Sequence, residues 1–245
     1  MRIFAYVSSM RKECSVTLEI INEIIDKLRE ICVVEESYIA TPEKDWIELC
    51  NGCMGCLNSG KCVNDVQDQM EKLKKKMLSA DLIILATPVY LHNVNAPMKN
   101  YLDRLNLWCY TMPLVGKLAL PISVSSTNGN QQVNAYLTKI LRFFGAGTLD
   151  ALTIKNHLMS EEEKAESINS ICLQINEYVN GHREFIVSKY QLEYYKQMKE
   201  MLNNIDAKSK LYQIWKEERM LAVPDFQTLF NMKRKENDGN EKCRS

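Results

Sequence analysis

Residues 3–17 read Ile3-Phe4-Ala5-Tyr6-Val7-Ser8-Ser9-Met10-Arg11-Lys12-Glu13-Cys14-Ser15-Val16-Thr17, and the order of residue types within them decides the fold. Ile3–Val7 is apolar without alternation, the mark of a parallel strand covered on both faces. A polar loop follows. Then Val16, Ile20, Ile21, Ile24, Ile25 and Leu28 recur at helical spacing, with Ser15 placed to cap the helix. Strand, loop and helix in that order form the repeating unit of a parallel α/β sheet.

The unit recurs along the chain. A weaker strand is expected near Val33–Ile39, and residues 41–65 read as a long loop punctuated by Pro42, Gly52, Gly55 and Gly60. A helix is predicted over Val66–Leu78 and a strand over Leu82–Ala86, ended by Thr87-Pro88. Asn95 caps a further helix, with Pro97 in its first turn, running to Trp108. A strand over Lys117–Val124, a turn-rich loop Ser125–Asn130, a helix to Phe144 and a stop at Gly145–Gly147 come next. A strand over Thr148–Ile154 and a helix over Ser160–Val179 close the series. Five repeats predict an α/β fold, a doubly wound, five-stranded parallel sheet with helices on both faces. Residues 1–183 form this domain. Residues 184–245 differ, as a helical C-terminal extension. Phe185–Met220 is polar and helical in pattern, with Tyr190, Tyr194, Tyr195 and Met198 spaced to pack against the main domain. Pro224 breaks it, and Lys233–Ser245 reads as a solvated tail.

Composition narrows the function. Of 245 residues, 46% are hydrophobic, which excludes a disordered chain, and 31 Lys+Arg balance 31 Asp+Glu. Without a net field, nucleic acid is not an expected partner. The longest apolar run, Leu82–Leu91, is about half of what a membrane-spanning helix needs. Ile3–Val7 after Arg2 is too short for a secretory signal. A soluble, cytoplasmic protein without membrane contact is expected. Nine cysteines, an odd number at uneven spacing, argue against a disulfide framework. Cys14, Cys32, Cys109, Cys172 and Cys243 are scattered, and most are expected as small buried hydrophobes.

Ligands of doubly wound sheets bind beyond the carboxyl ends of the strands. The loop after the first strand offers hydroxyls at Ser9, Ser15 and Thr17, the guanidinium of Arg11 and a helix N-terminus, which suits a phosphate monoester. An ordinary serine-rich cap has the same composition. No dinucleotide fingerprint or P-loop is present. After the third strand, Thr87-Pro88-Val89-Tyr90-Leu91-His92-Asn93 combines an apolar rim with backbone amides that suit a planar heteroaromatic edge. His92 reads as a solvent-facing loop histidine. Gly129, in the loop after the fourth strand, lets backbone approach a ligand closely. Cys50, Cys53, Cys56 and Cys62 form C-x2-C-x2-C-x5-C. The first three carry the ferredoxin-type spacing that wraps one iron–sulfur cubane. Zinc, or a loop of reduced thiols, is the alternative.

These residues resemble the NAD(P)H-dependent FMN reductases of flavodoxin-like fold, and within them the iron–sulfur flavoproteins. The family's G-S-P-R-x-x-[SG]-x-T is matched by Ser8-Ser9-Met10-Arg11 and Ser15-Val16-Thr17. Its S-P-V-Y motif and the K-x-[FY]-[LI]-D-R that follows are matched by Thr87-Pro88-Val89-Tyr90 and Lys99-Asn100-Tyr101-Leu102-Asp103-Arg104. Ser8 and Met10 depart from the family's Gly and Pro. The resemblance covers residues 1–180 and implies strand order 2-1-3-4-5. It implies that Ser9, Arg11, Ser15 and Thr17 hold the FMN phosphate, with Val16 among the cofactor-binding residues. Pro88, Val89, Tyr90, Leu91, His92 and Asn93 would line the flavin, with Thr127 and Gly129 nearby, and the four cysteines would hold a [4Fe–4S] cluster. It further implies a homodimer or a dimer of dimers. The expected function is an FMN-dependent oxidoreductase taking electrons from NAD(P)H, or from ferredoxin, to a small-molecule or protein acceptor, with no catalytic acid or base. Its rivals are an FMN-only quinone, nitro- or azo-reductase with a cluster-free loop, and a non-enzymatic electron carrier or redox sensor.

Overall fold

The computed structural model describes residues 1–242, and of residues 238–242 the backbone alone. Cys243 and the end of the expected tail lie outside the described residues. Strands β1 (Arg2–Val7), β2 (Glu36–Ala40), β3 (Leu82–Tyr90), β5 (Leu118–Ser125), β6 (Gly147–Thr148) and β7 (Leu152–Lys155) form a parallel sheet, and β4 (Asn93–Val94) pairs antiparallel with β3. The sheet has seven strands rather than five and runs β2-β1-β3-β5-β6, with β7 also paired to β5; the expected order 2-1-3-4-5 shifts because the short hairpin strand β4 enters the count and the fifth position is shared by β6 and β7.

Alternate residues of each strand serve opposite faces, as the period of two requires. Ile3, Ala5, Leu82, Ile84, Leu120 and Ile122 point to the side covered by α1 (Val16–Ile31) and α7 (Glu161–Val179). Phe4, Tyr6, Ile83, Leu85 and Ala119 point to the other. There α3 (Met70–Ser79), α4 (Ala96–Asp103), α5 (Trp108–Thr111) and α6 (Asn130–Phe143) cover them. Coverage on both faces explains the unbroken apolar runs.

Several boundaries move from those expected. The Val66–Leu78 helix starts later, at Met70, and a short helix α2 (Gly55–Ser59) and a 3-10 turn (Val63–Val66) interrupt the long loop. β3 runs past Thr87-Pro88 because Pro88 falls near the strand end opposite Val124, where a missing N–H is tolerated. The Asn95–Trp108 helix divides at Arg104–Leu107, where a turn lets neighbouring Arg104 and Leu105 both be buried. The Thr148–Ile154 strand divides at Asp150, which turns outward to accept a bond from Gln174 (3.0 Å). Gly147 pairs in β6 rather than ending a helix.

The extension comprises α8 (Lys189–Leu202), α9 (Lys210–Glu217) and α10 (Phe226–Lys242). Tyr195, Trp215, Phe226 and Phe230 pack there with Met112 and Val115 of the main sheet unit as a third apolar cluster. Trp215 Nε1 donates to the Tyr110 carbonyl (2.7 Å), and Tyr194 Oη to that of Cys109 (2.9 Å). Residues from Lys233, expected as a solvated tail, continue α10, with the Lys233 ammonium 2.7 Å from Glu218. Of the scattered cysteines Cys172 is buried, Cys32 and Cys109 are half-buried, and Cys14 is exposed, contrary to the expectation of a buried hydrophobe. No described helix is long and apolar enough to cross a membrane.

Candidate flavin and metal site

The carboxyl end of β1 delivers Ser8 and Ser9 into a tight loop that closes with a 3-10 turn, Lys12–Cys14. Ser9 Oγ accepts the Arg11 N–H (3.3 Å), and Ser15 Oγ accepts the Leu18 N–H (3.2 Å) as the cap of α1. Ser9, Ser15 and Thr17 are buried, Val16 is half-buried, and Arg11 is exposed. Ser9, Arg11 and Ser15 line a cavity of about 680 Å³ together with Thr41 and Glu43 among others, whereas Val16 and Thr17 are not part of its lining. The Lys12 ammonium meets Glu43 at 2.6 Å beside it, so the loop after β2 completes a wall that has no local signal in the sequence. Buried hydroxyls at a helix N-terminus with a cation at the rim form an anion cradle, and the groups present fit a phosphate monoester.

The second part is the β3–β4 hairpin. Leu91 and His92 both hold positive φ, +50° and +58°, an uncommon conformation for side-chain-bearing residues that marks a functional or strained turn. Tyr90, Leu91, His92 and Asn93 are exposed and Pro88 and Val89 half-buried. Gly129 packs against this hairpin so closely that a β-carbon there would come 2.7 Å from Val89 Cγ1 and 3.2 Å from His92 Cα. Gly129 also takes φ +87°, for which glycine is the natural residue. The loops after β3 and β5 are thereby brought together, with Thr127 exposed beside them. Behind them, Asn130 Nδ2 donates to Ser123 O (3.0 Å), and Ser125 Oγ to Asn130 Oδ1 (2.7 Å). None of Pro88–Asn93 lines the cavity at the start of α1. The two parts are joined by Asn95, whose Nδ2 donates to the Ser8 carbonyl at 2.7 Å. Its capping of α4 was legible in sequence, and this second bond was not.

The cysteine loop lies beyond β2. Cys50 and Cys53 are exposed, and Cys56 and Cys62 are half-buried. Burial, with Cys62 and then Cys50 close enough to act on it, raises the Cys56 thiol above the ordinary thiol range. The donor set, four thiols in one loop, fits a thiolate-held metal group in kind. Among the described residues, no three His, Cys, Asp or Glu side chains yet converge on one point. Drawing thiols together is work that a bound metal itself does. By contrast, burial alone pushes the Cys109 thiol up to about 11 and, as the main cause, that of Cys172 up to about 12, which makes them inert packing groups.

Several known proteins are similar to this chain. An iron–sulfur flavoprotein of Archaeoglobus fulgidus is 29% identical over 188 residues, covering 75% of this chain and 83% of the relative. One of Methanocaldococcus jannaschii is 31% identical over 145 residues, covering 59% of this chain and 72% of the relative. The crystal structure of an FMN-dependent NADH-azoreductase from Bacillus anthracis in complex with FMN superposes with a TM-score of 0.57 at 12% identity. It covers 73% of this chain and 99% of that one, a likeness of fold. The family model described as NADPH-dependent FMN reductase matches residues 1–161. The chain belongs to the NADPH-dependent FMN reductase family.

Proposed function

We propose that this NAD(P)H-dependent FMN oxidoreductase moves electrons through FMN and a [4Fe–4S] cluster to a small-molecule or protein acceptor. Ser9, Arg11, Ser15 and Thr17, with the N-terminus of α1, hold the phosphate. The β3–β4 hairpin and Gly129 line the ring. When bound, FMN accepts a hydride and releases electrons one or two at a time, which lets it stand between a nicotinamide donor and a one-electron centre. The chain's own residues contribute position. The hairpin presents backbone amides from a rigid turn, the cradle fixes the phosphate, and no side-chain acid or base takes a catalytic part. Cys50, Cys53, Cys56 and Cys62 hold the cluster, which supplies one-electron transfer. The protein works in the cytoplasm, as a homodimer or a dimer of dimers, with NAD(P)H or ferredoxin as donor. The observation that supports the reading is the hydroxyl-lined cavity at the N-terminus of α1 and the four-cysteine loop on one sheet, both beyond the carboxyl ends of its strands.

The test is chemical analysis of protein purified without oxygen. FMN with about four iron and four sulfide per chain is expected. FMN without iron, even after anaerobic reconstitution, leaves the second reading, an FMN-only reductase, which the unconverged cysteines favour. Cys56→Ser should abolish the iron and leave FMN bound; unchanged iron removes Cys56 from the ligand set. Absence of turnover with NAD(P)H and any small acceptor would instead favour a carrier.

A further inference from the structure

The cysteine loop is gripped at both ends by one turn of α4 and the residue that follows it. Asn100 takes the first stem: its Nδ2 donates to the carbonyls of Ile47 (3.3 Å) and Glu48 (3.1 Å), and its Oδ1 accepts the Cys50 N–H (3.0 Å). Arg104 takes both stems. Its Nη1 donates to the Glu48 carbonyl (2.8 Å) and to the Asp68 carboxylate, and its Nη2 donates to Asp65 Oδ1 (2.9 Å). The side chains of Arg104 and Asp68 are fully buried, and that of Asp65 nearly so.

Stability alone is a poor explanation for so deep an ion pair, because its desolvation offsets most of its attraction and apolar side chains of like volume hold a core as well. Two further facts point to the loop. The Arg104 Nε–H is buried and finds no acceptor among the described residues, and a buried donor left unpaired needs a reason. The Asp65 that Arg104 holds is itself tied to the loop's end, its N–H donating to the Cys62 carbonyl (3.2 Å). Burial works against the guanidinium's charge, yet its hydrogen bonds to the Asp68 and Asp65 carboxylates, aided by the charge of Asp68, hold it above the ordinary arginine range.

We propose that Arg104 is a positioning residue for the metal group of the cysteine loop. It fixes the distance between the loop's two stems, sets a permanent positive charge beside the Cys62 end, and keeps one N–H for a sulfur acceptor, thiolate or sulfide. A planar fork suits this role, since it spans two carboxylates and a carbonyl at once where an ammonium is a point charge. The inference rests on the reading that the four cysteines hold a cluster.

The test compares wild type, Arg104→Gln and Arg104→Lys, each purified without oxygen. Iron, sulfide and FMN per chain are measured, together with the midpoint potential of the iron–sulfur signal in a redox titration. In Arg104→Gln, iron should fall at least twofold while FMN is retained, and the remaining cluster should titrate at a more negative potential because a cation has gone. Arg104→Lys, which keeps the charge without the fork, should hold less iron than wild type at a potential nearer to it. Full iron at unchanged potential in Arg104→Gln overturns the proposal. If that variant fails to fold, shown by loss of FMN and helical signal together, Asp65→Asn serves. It weakens one arm of the grip, and full iron at unchanged potential in both Asp65→Asn and Arg104→Lys is equally fatal. Wild type without iron after reconstitution overturns the cluster reading itself, and this inference with it, an outcome visible before any variant is made.

Discussion

Asn95 and Ser8, far apart in sequence, are joined by a hydrogen bond of 2.7 Å from the Asn95 side chain to the Ser8 carbonyl. This bond ties the loop after β3 to the loop after β1, and so the two parts of the candidate site to each other. Asn95 is only 2% exposed, and its Oδ1 also accepts from Thr87 Oγ1 (3.2 Å) and from the Met98 N–H (3.2 Å) at the start of α4.

Asn95→Ala should therefore harm stability and ligand binding together. Loss of a helix cap and of two buried side-chain bonds predicts destabilisation of about 2–4 kcal/mol. Urea unfolding of the flavin-free protein measures that part, and a flavin titration the rest. A variant with wild-type stability would show that the Ser8 carbonyl finds another donor.

Gly129→Ala puts a β-carbon 2.7 Å from Val89 Cγ1 on a backbone with φ +87°. The strain, about 1–3 kcal/mol, must be relieved by moving the loop after β5 away from the β3–β4 hairpin. FMN affinity should fall about tenfold, the change that ~1.4 kcal/mol produces. Unchanged affinity would place the flavin ring elsewhere.

Arg11 is exposed at the rim of the cradle, whereas Ser15 is buried and caps α1. Arg11→Ala should weaken FMN about tenfold and leave riboflavin binding and apoprotein stability unchanged. Ser15→Ala should weaken FMN and also cost about 1 kcal/mol of stability through the lost cap. Equal weakening of FMN and riboflavin by Arg11→Ala would remove the guanidinium from the phosphate.

Lys117 is buried at the opposite end of the sheet, donating to the Ala80 carbonyl (2.8 Å), and burial lowers its pKa from 10.5 to about 8. Between these values the unfolded chain holds a proton that the folded chain has released, so folding grows more favourable as pH rises through that window. The penalty is complete below about pH 8. Wild type should gain about 2–3 kcal/mol relative to Lys117→Met between pH 7 and 10.5, read from denaturant midpoints at each pH. A pH-independent difference would mean that Lys117 keeps its ordinary pKa.

Much of the sheet was legible because apolar period reports burial directly. Ile3–Val7 and Leu82–Ala86 had to be covered on both faces, and the caps Ser15 and Asn95 mark helix starts by the hydrogen bond each side chain accepts. Boundaries failed where a distant partner overrides local pattern. Pro88 stays in β3 because Val124 lies opposite, and Lys233 stays in α10 with its ammonium on Glu218. The candidate site divides in the same way. Its hydroxyls, its glycine and its cysteines show as residue types at telling intervals. The wall formed by Thr41 and Glu43, and the positive φ of Leu91 and His92, carry no such signal.

The sequence by itself determined the alternating strands and helices, the phosphate-suited start of α1 and a four-cysteine loop, because each follows from short-range spacing and local hydrogen bonding. Only the tertiary structure decided that Gly129 meets Val89, that Asn95 holds Ser8, and that Arg104 grips Glu48, Asp65 and Asp68. Those contacts join residues from different strand–helix units. They exist only once packing on both faces of the sheet has set the loops side by side, and local propensity holds no record of which distant carbonyl or carboxylate a buried donor will meet.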